Sequence, residues 1–394
     1  MWKRIPYNLL SSPISLISLF FFIVLATANG AGYRYGVSDQ AFYIPAVVHA
    51  YDPATFPHDA PLIEAQARLM VLDELLAGVM RTTGAPLHGL FAAGYFVSLA
   101  LIWIALVRVG ASLYIQRWTT IALLAAFTLR HQITRTSANT FEPYFHPRML
   151  AFGICALAVA ALVKRRGWLA IALVALGGAV HPTTAMWFAV MIGVALFVCD
   201  RGLRPMVAAG AVLAAFVAGW AATAGPLAGS FVVIDADWRE VLAAKTSLLA
   251  NQWPLAAWLA NLGTAAVWGW AYYDRRRHGL ATIEDTGLAA GGAALVALFV
   301  ATLPLVAAGV SFFVELQISR VFWIVDVMAT IYVLGAIERI GAQPRMIRAA
   351  AAVLIALSCV RGVYSLYVDH PERRLFAFTL EASPWHGAMR WIAA

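Results

Sequence analysis

The run LHGLFAAGYFVSLALIWIALV, residues 87–107, carries no charged side chain from end to end. As a helix it spans about 30 Å, the thickness of a bilayer's hydrocarbon core. Working outward, further apolar runs occupy 10–28, 118–129, 150–163, 168–180, 184–198, 205–222, 253–273, 288–309, 321–337 and 347–360. They predict an all-α polytopic membrane bundle of about 11 transmembrane helices. Composition agrees: of 394 residues, 62% are hydrophobic and 12% charged. Soluble domains carry roughly a quarter charged residues. The predicted layout is a transmembrane domain over 1–360, with a long helical first loop at 29–86, and a short tail at 361–394.

The net charge of +8 is placed as a topology signal, which excludes a nucleic-acid partner. Lys3 and Arg4, the 108–117 turn, Lys164-Arg165-Arg166, Arg201 with Arg204, Arg275-Arg276-Arg277, and Arg339 with Arg345 and Arg348 all fall on one side of the alternating runs. By the positive-inside rule that side is cytoplasmic. The expected location is the inner (plasma) membrane, with a cytoplasmic N-terminus and an extracytoplasmic C-terminus. Cys155, Cys199 and Cys359 lie in or beside apolar runs, so no disulfide framework is suggested.

The outward loops hold most of the ionisable chemistry. In the first, Ser38 is placed to cap a helix starting at Asp39, with Asp39 and Tyr43 four apart on one face. A second, amphipathic helix is expected from 60 or 61 to 80, after a rigid turn at 52–59 containing two prolines. Asp39 has two readings: a helix cap or partner of Arg34, and a carboxylate at the membrane rim able to take a proton from a hydroxyl. His49, His58 and the Asp235-x-Asp237 pair lack compact metal-ligand spacing, so a divalent metal is possible but not favoured.

His146-Pro147-Arg148 and His181-Pro182 also have two readings each. Proline suits the first helical turn, making the histidine a cap; otherwise the two imidazoles stand at the mouth of a shared cleft. Further along, Gln317-x-x-Arg320 precedes a span that contains Asp326. Arg320 suits an anionic group, with Arg148 as the alternative grip, and Asp326 is expected to contact Arg148 or His146.

Tyr35-Gly36-x-Ser38-Asp39-Gln40-x-x-Tyr43, followed by the two His-Pro elements and Gln317-x-x-Arg320, resembles polytopic glycosyltransferases of the GT-C type. The resemblance implies a GT-C-like fold and transfer of a sugar from a polyprenyl-phosphate donor to a glycan, lipid or protein acceptor. It implies catalytic roles for Asp39, His146 and His181, and donor contacts from Arg320, Arg148, Gln317 and Tyr43. That superfamily often has a paired acid where this chain has Asp39-Gln40, which weakens any metal requirement. The alternative is a transporter or flippase of a lipid-linked or small anionic substrate.

Overall fold

A computed structural model describes residues 13–67, 70–129, 132–245, 247–341, 343–380 and 391. In chain order these form α1 (Pro13–Asn29), β1 (Tyr33–Arg34), α2 (Gln40–Tyr51), α3 (Ala60–Ala67), α4 (Leu72–Thr83), α5 (Leu87–Leu113), α6 (Arg117–Thr128), β2 (Gln132–Ile133) and β3 (Ala138–Asn139). There follow α7 (Pro147–Val163), α8 (Gly167–Val180), α9 (Pro182–Cys199), α10 (Arg204–Thr223), α11 (Ala236–Ala243), α12 (Leu255–Arg277), α13 (Ile283–Ala307), α14 (Ser311–Glu315), α15 (Val321–Gly341), α16 (Pro344–Tyr364) and β4 (Phe376–Ala377).

Among the described residues each of the eleven apolar runs falls largely on a helix, but length and composition separate them. Six segments are long and apolar enough to cross a membrane: Leu87–Leu113, Pro182–Cys199, Arg204–Thr223, Ile283–Ala307, Ser311–Gly341 and Pro344–Asp369. Shorter apolar helices lie at Ser15–Asn29, Pro147–Val163 and Gly167–Val180. At 12 residues, α6 reaches only about 18 Å.

The basic turns meet at one end of the bundle. There Arg339 grips Asp274 through Nε (2.6 Å) and Nη2 (2.5 Å). Arg275 donates to Asp285 at 3.0 Å, and the Tyr332 hydroxyl donates to the other oxygen of that carboxylate at 2.7 Å. The buried Glu338 carboxylate accepts from the backbone N–H of Ile115 and Gln116, supplying partners that the start of α6 lacks on its own. Lys3, Arg4 and the first three residues of the 10–28 run lie outside the described residues.

At the other end, one expectation is corrected and two further features appear. The helix expected over 60–80 is two helices, α3 and α4, because the chain turns between them and Val71 donates its N–H to the Ala179 carbonyl at 3.2 Å. The tail is tied back to the first loop: β4 pairs in parallel with β1, Tyr33 opposite Phe376. Gly32, at φ +83°, is required there, since a Cβ would lie 2.3 Å from the Arg374 carbonyl oxygen. Finally, the loop before α7 carries a small antiparallel hairpin, β2 with β3, too short for a period-2 pattern to reveal.

Candidate functional site

Residues 142–148 alternate Glu142, Tyr144, His146 and Arg148, and the backbone at His146 is extended. Tyr144 and His146 both reach Asp39, while Glu142 turns to Arg148. The His146 Nδ1 accepts the Arg148 N–H at 3.0 Å, capping α7. A backbone N–H can only donate, so the neutral ring carries its proton on Nε2. That nitrogen donates to Asp39 Oδ2 at 3.1 Å. Cap and cleft readings therefore both hold for His146, one on each nitrogen.

His181 repeats the arrangement at α9. Its Nδ1 accepts the Thr184 N–H at 3.3 Å and the hydroxyls of Thr184 and Thr183 at 3.0 and 3.2 Å. Its ring lies edge-on to that of His146, centroids 6.0 Å apart, and Tyr43 lies edge-on to His146 at 5.1 Å. Residues 107 and 35 positions apart are thus brought together by helices that start at the same level.

Asp39 is not a side-chain cap. It precedes α2, which begins at Gln40 rather than at Asp39, and makes no capping hydrogen bond; Ser38 sits at φ +53°. Its carboxylate, 48% exposed, instead accepts from buried His146 and from the Tyr144 hydroxyl at 3.3 Å. The His146 hydrogen bond is the main reason that Asp39 is held down to about 2, with Arg148 contributing. Burial holds the His146 imidazole down to about 4 and that of His181 well below the ordinary value. At neutral pH the contact is therefore a neutral imidazole donating to a carboxylate. Burial also pushes the Tyr43 phenol up to about 12.

Gln40 has a structural task. Its side-chain carbonyl accepts the Gly36 N–H at 2.6 Å and its amide donates to the Phe145 carbonyl at 3.0 Å, which pins the first loop to the segment leading into His146. A carboxylate could not make the second bond, which explains glutamine where a paired acid was the pattern.

The two arginines differ. Arg148 is buried and donates to buried Glu142 at 2.5 Å. Arg320 follows Gln317, whose left-handed backbone (φ +49°) ends α14 and starts a turn of 3-10 helix leading into α15. Three residues on, Trp323 stacks on Phe152 of α7, centroids 4.2 Å apart, and donates Nε1–H to Thr140 at 3.2 Å. Since Phe152 is one turn beyond Arg148, the stack sets Arg320 beside Arg148. Arg320 lies within electrostatic range of Asp39, Tyr43, Glu142 and Arg148, yet its buried Nε has no partner, nor does the buried Gln317 Oε1.

All seven sequence-selected residues are accounted for: Asp39, Tyr43, His146, Arg148, His181 and Arg320 surround one site, with Gln317 at the turn that delivers Arg320. Among the described residues no group of three His, Cys, Asp or Glu could hold a metal ion. His146 would have to give up both its proton and its Asp39 bond to become a ligand. Asp235, in the other candidate pair, caps α11 by accepting the Trp238 N–H at 2.7 Å.

The chain matches no family model, no curated protein and no solved structure. It is a polytopic helical membrane protein. Its buried and half-buried ionisable groups, Asp39 and the two arginines among them, are consistent with a catalytic or a transport role.

Proposed function

We propose that this protein transfers a sugar from a polyprenyl-phosphate donor to an acceptor hydroxyl at the Asp39 end of the bundle, in the manner of GT-C enzymes. The observation carrying the reading is the pairing of Arg320 with Asp39 across one site. A buried guanidinium with an unmatched Nε lies within electrostatic range of an ionised, half-exposed carboxylate without forming an ion pair with it among the described residues. Such an arrangement suits a ligand anionic at one end and carrying a hydroxyl at the other.

In this reading Arg320 holds the donor phosphate, assisted by the Nε2–H of His181, and Arg148 adds positive charge from behind its pair with Glu142. The acceptor oxygen attacks the anomeric carbon, the sugar–phosphate bond breaks, and Asp39 takes the acceptor's proton. A carboxylate near 2 is a weak base. The entering phosphate offsets the nearby arginine charge and excludes water, both of which raise Asp39 toward a useful range. His146 holds the Asp39 carboxylate in place through Nε2–H.

The interior beneath the site supports transfer over passage. Phe152, Phe188, Ile324, Val327 and Met328 line a cavity of only about 20 Å³, whereas a transport path needs polar lining near mid-membrane.

Asp39→Asn tests the base directly. With a labelled polyprenyl-phosphate sugar, turnover is expected to fall about 10²–10⁴-fold while donor binding persists, because asparagine keeps the shape and an acceptor oxygen. Transfer at the unmodified rate by folded Asp39→Asn protein would remove Asp39 from the chemistry.

The same reading places the Asp39 end outside the cytoplasm and the basic turns inside. A cysteine at exposed His58 should react with a membrane-impermeant thiol reagent in intact cells, and one at Arg201 only after lysis. The reverse pattern would invert the topology.

A further inference from the structure

Away from the Asp39 site, α8, α9 and α10 enclose a second cavity. Ile171, Val174, Met186, Val190, Leu196 and Met206 are among the side chains lining an open groove of about 880 Å³. One wall is α10, an apolar helix only 6% buried over its most hydrophobic stretch. Small residues keep the groove open: a Cβ on Gly193 would meet only Val207 Cγ1 at 4.0 Å, and one on Gly210 nothing within 4 Å. Helix α9 starts at the His181 cap, so the Leu196–Phe197 end of the groove lies at the opposite end of the bundle, near the α7–α8 and α9–α10 turns.

At those turns Arg165, Arg166, Gly167, Trp168, Leu169, Asp200, Gly202 and Leu203 line a concave surface pocket of about 590 Å³. Pocket and groove adjoin: a Cβ on Gly167, which lines the pocket, would lie 3.1 Å from Cδ2 of Leu196, which lines the groove. The Arg204 guanidinium lies over the ring of Phe197, which lines the groove, and donates to the Phe197 carbonyl at 2.7 Å. The charges at the rim are unequal. Arg165 is paired with Glu284 at 2.8 Å, and Asp200 Oδ1 is occupied by the N–H groups of Gly202 and Leu203. Arg166 lines the pocket, and Lys164 and Arg201 adjoin lining residues in the chain; all three are exposed and make no ion pair among the described residues. Exposed Trp168 stands beside them, an amphipathic ring of the kind found at membrane interfaces.

We infer that this composite surface is a binding site for one anionic phospholipid, its phosphate held by Arg166 and Arg201 with Lys164, and its acyl chains laid in the α8–α9–α10 groove. Topology signalling alone requires positive charge in these turns but neither a concave pocket nor an apolar groove beside it. Charge complementarity decides the occupant. A zwitterionic lipid would fill the groove equally well but would gain little from the free cations, and a soluble anion would leave the groove unused. The site is separate from Asp39 and Arg320, and the inference does not depend on the transferase reading.

Dioleoyl phosphatidylglycerol and dioleoyl phosphatidylcholine share tails and differ in headgroup charge. The full chain, purified in detergent and exposed to each lipid at equal concentration, is examined by native mass spectrometry. The unmodified protein should retain phosphatidylglycerol preferentially, and each of Arg166→Gln and Arg201→Gln should reduce that preference about five-fold, as expected for about 1 kcal/mol per basic side chain. Gly210→Leu, which fills the groove on a helix that tolerates leucine well, should lower retention of both lipids. Equal retention of the two lipids by the unmodified chain, phosphatidylglycerol retention unchanged in the double arginine variant, or an unaffected Gly210→Leu protein would each overturn the assignment.

Discussion

Arg320→Ala protein is expected to transfer sugar from a polyprenyl-phosphate donor about 10²–10³-fold more slowly than the unmodified chain, the range seen when one preorganised donor to a developing anion is removed. The leaving phosphate becomes more anionic as the glycosidic bond breaks, so a cation beside it binds the transition state better than the ground state. Arg320 suits this because it spends no hydrogen bond of its buried Nε on the protein and is oriented by the Trp323–Phe152 stack one turn below. Arg320→Lys should fall between the two, since lysine keeps the charge and loses the planar fork. Arg148→Ala is expected to differ in kind. It strands Glu142 as a buried unpaired carboxylate and lowers stability as well as rate. Single-turnover measurements on folded, membrane-inserted variants check the order; an Arg320→Ala protein with the unmodified rate would remove the phosphate grip.

Acidification from pH 7 to 4.5 is expected to lower the thermal unfolding midpoint in detergent, and His146→Asn should lose much of that sensitivity. Burial holds His146 down to about 4 and His181 well below 6.5. Between about 4 and 6.5 the unfolded chain therefore binds protons that the folded chain does not. The stability contributed by the neutral rings is fully present above 6.5 and is lost as pH falls toward 4. For His146 alone this is on the order of 3 kcal/mol. Asp39 does not interfere: its contribution stays intact over this range and fails only as pH drops below 3.8 toward 2. Asparagine at position 146 keeps an acceptor for the α7 cap but cannot titrate. A midpoint that is flat with pH in the unmodified protein, or that falls equally in His146→Asn, would contradict the buried neutral imidazole.

Much of the bundle was legible because apolar runs and basic turns are local signals. A stretch such as 87–107 has few alternatives in a chain this hydrophobic, and its helix can be read without reference to packing. The first-loop helix at Gln40 and both His-Pro caps were readable for the same reason, since capping chemistry is confined to a few neighbouring residues. The break between α3 and α4 was not, because it depends on Ala179, more than a hundred residues away, accepting the Val71 N–H.

The sequence by itself determined the class of this protein, the positions of its apolar helices, and the residue types able to do chemistry at their ends. The tertiary structure decided which of those residues meet. Asp39, His146, His181 and Arg320 converge because α7 and α9 begin at one level and Trp323 stacks on Phe152. It also divided the roles: Arg148 is tied to Glu142 while Arg320 keeps an unmatched Nε, and Gln40 clamps Phe145 where an acid was the expected pattern. No local pattern encodes that division. Whether a buried charge is paired or open depends on partners contributed by other helices, and only packing brings those within a few ångströms.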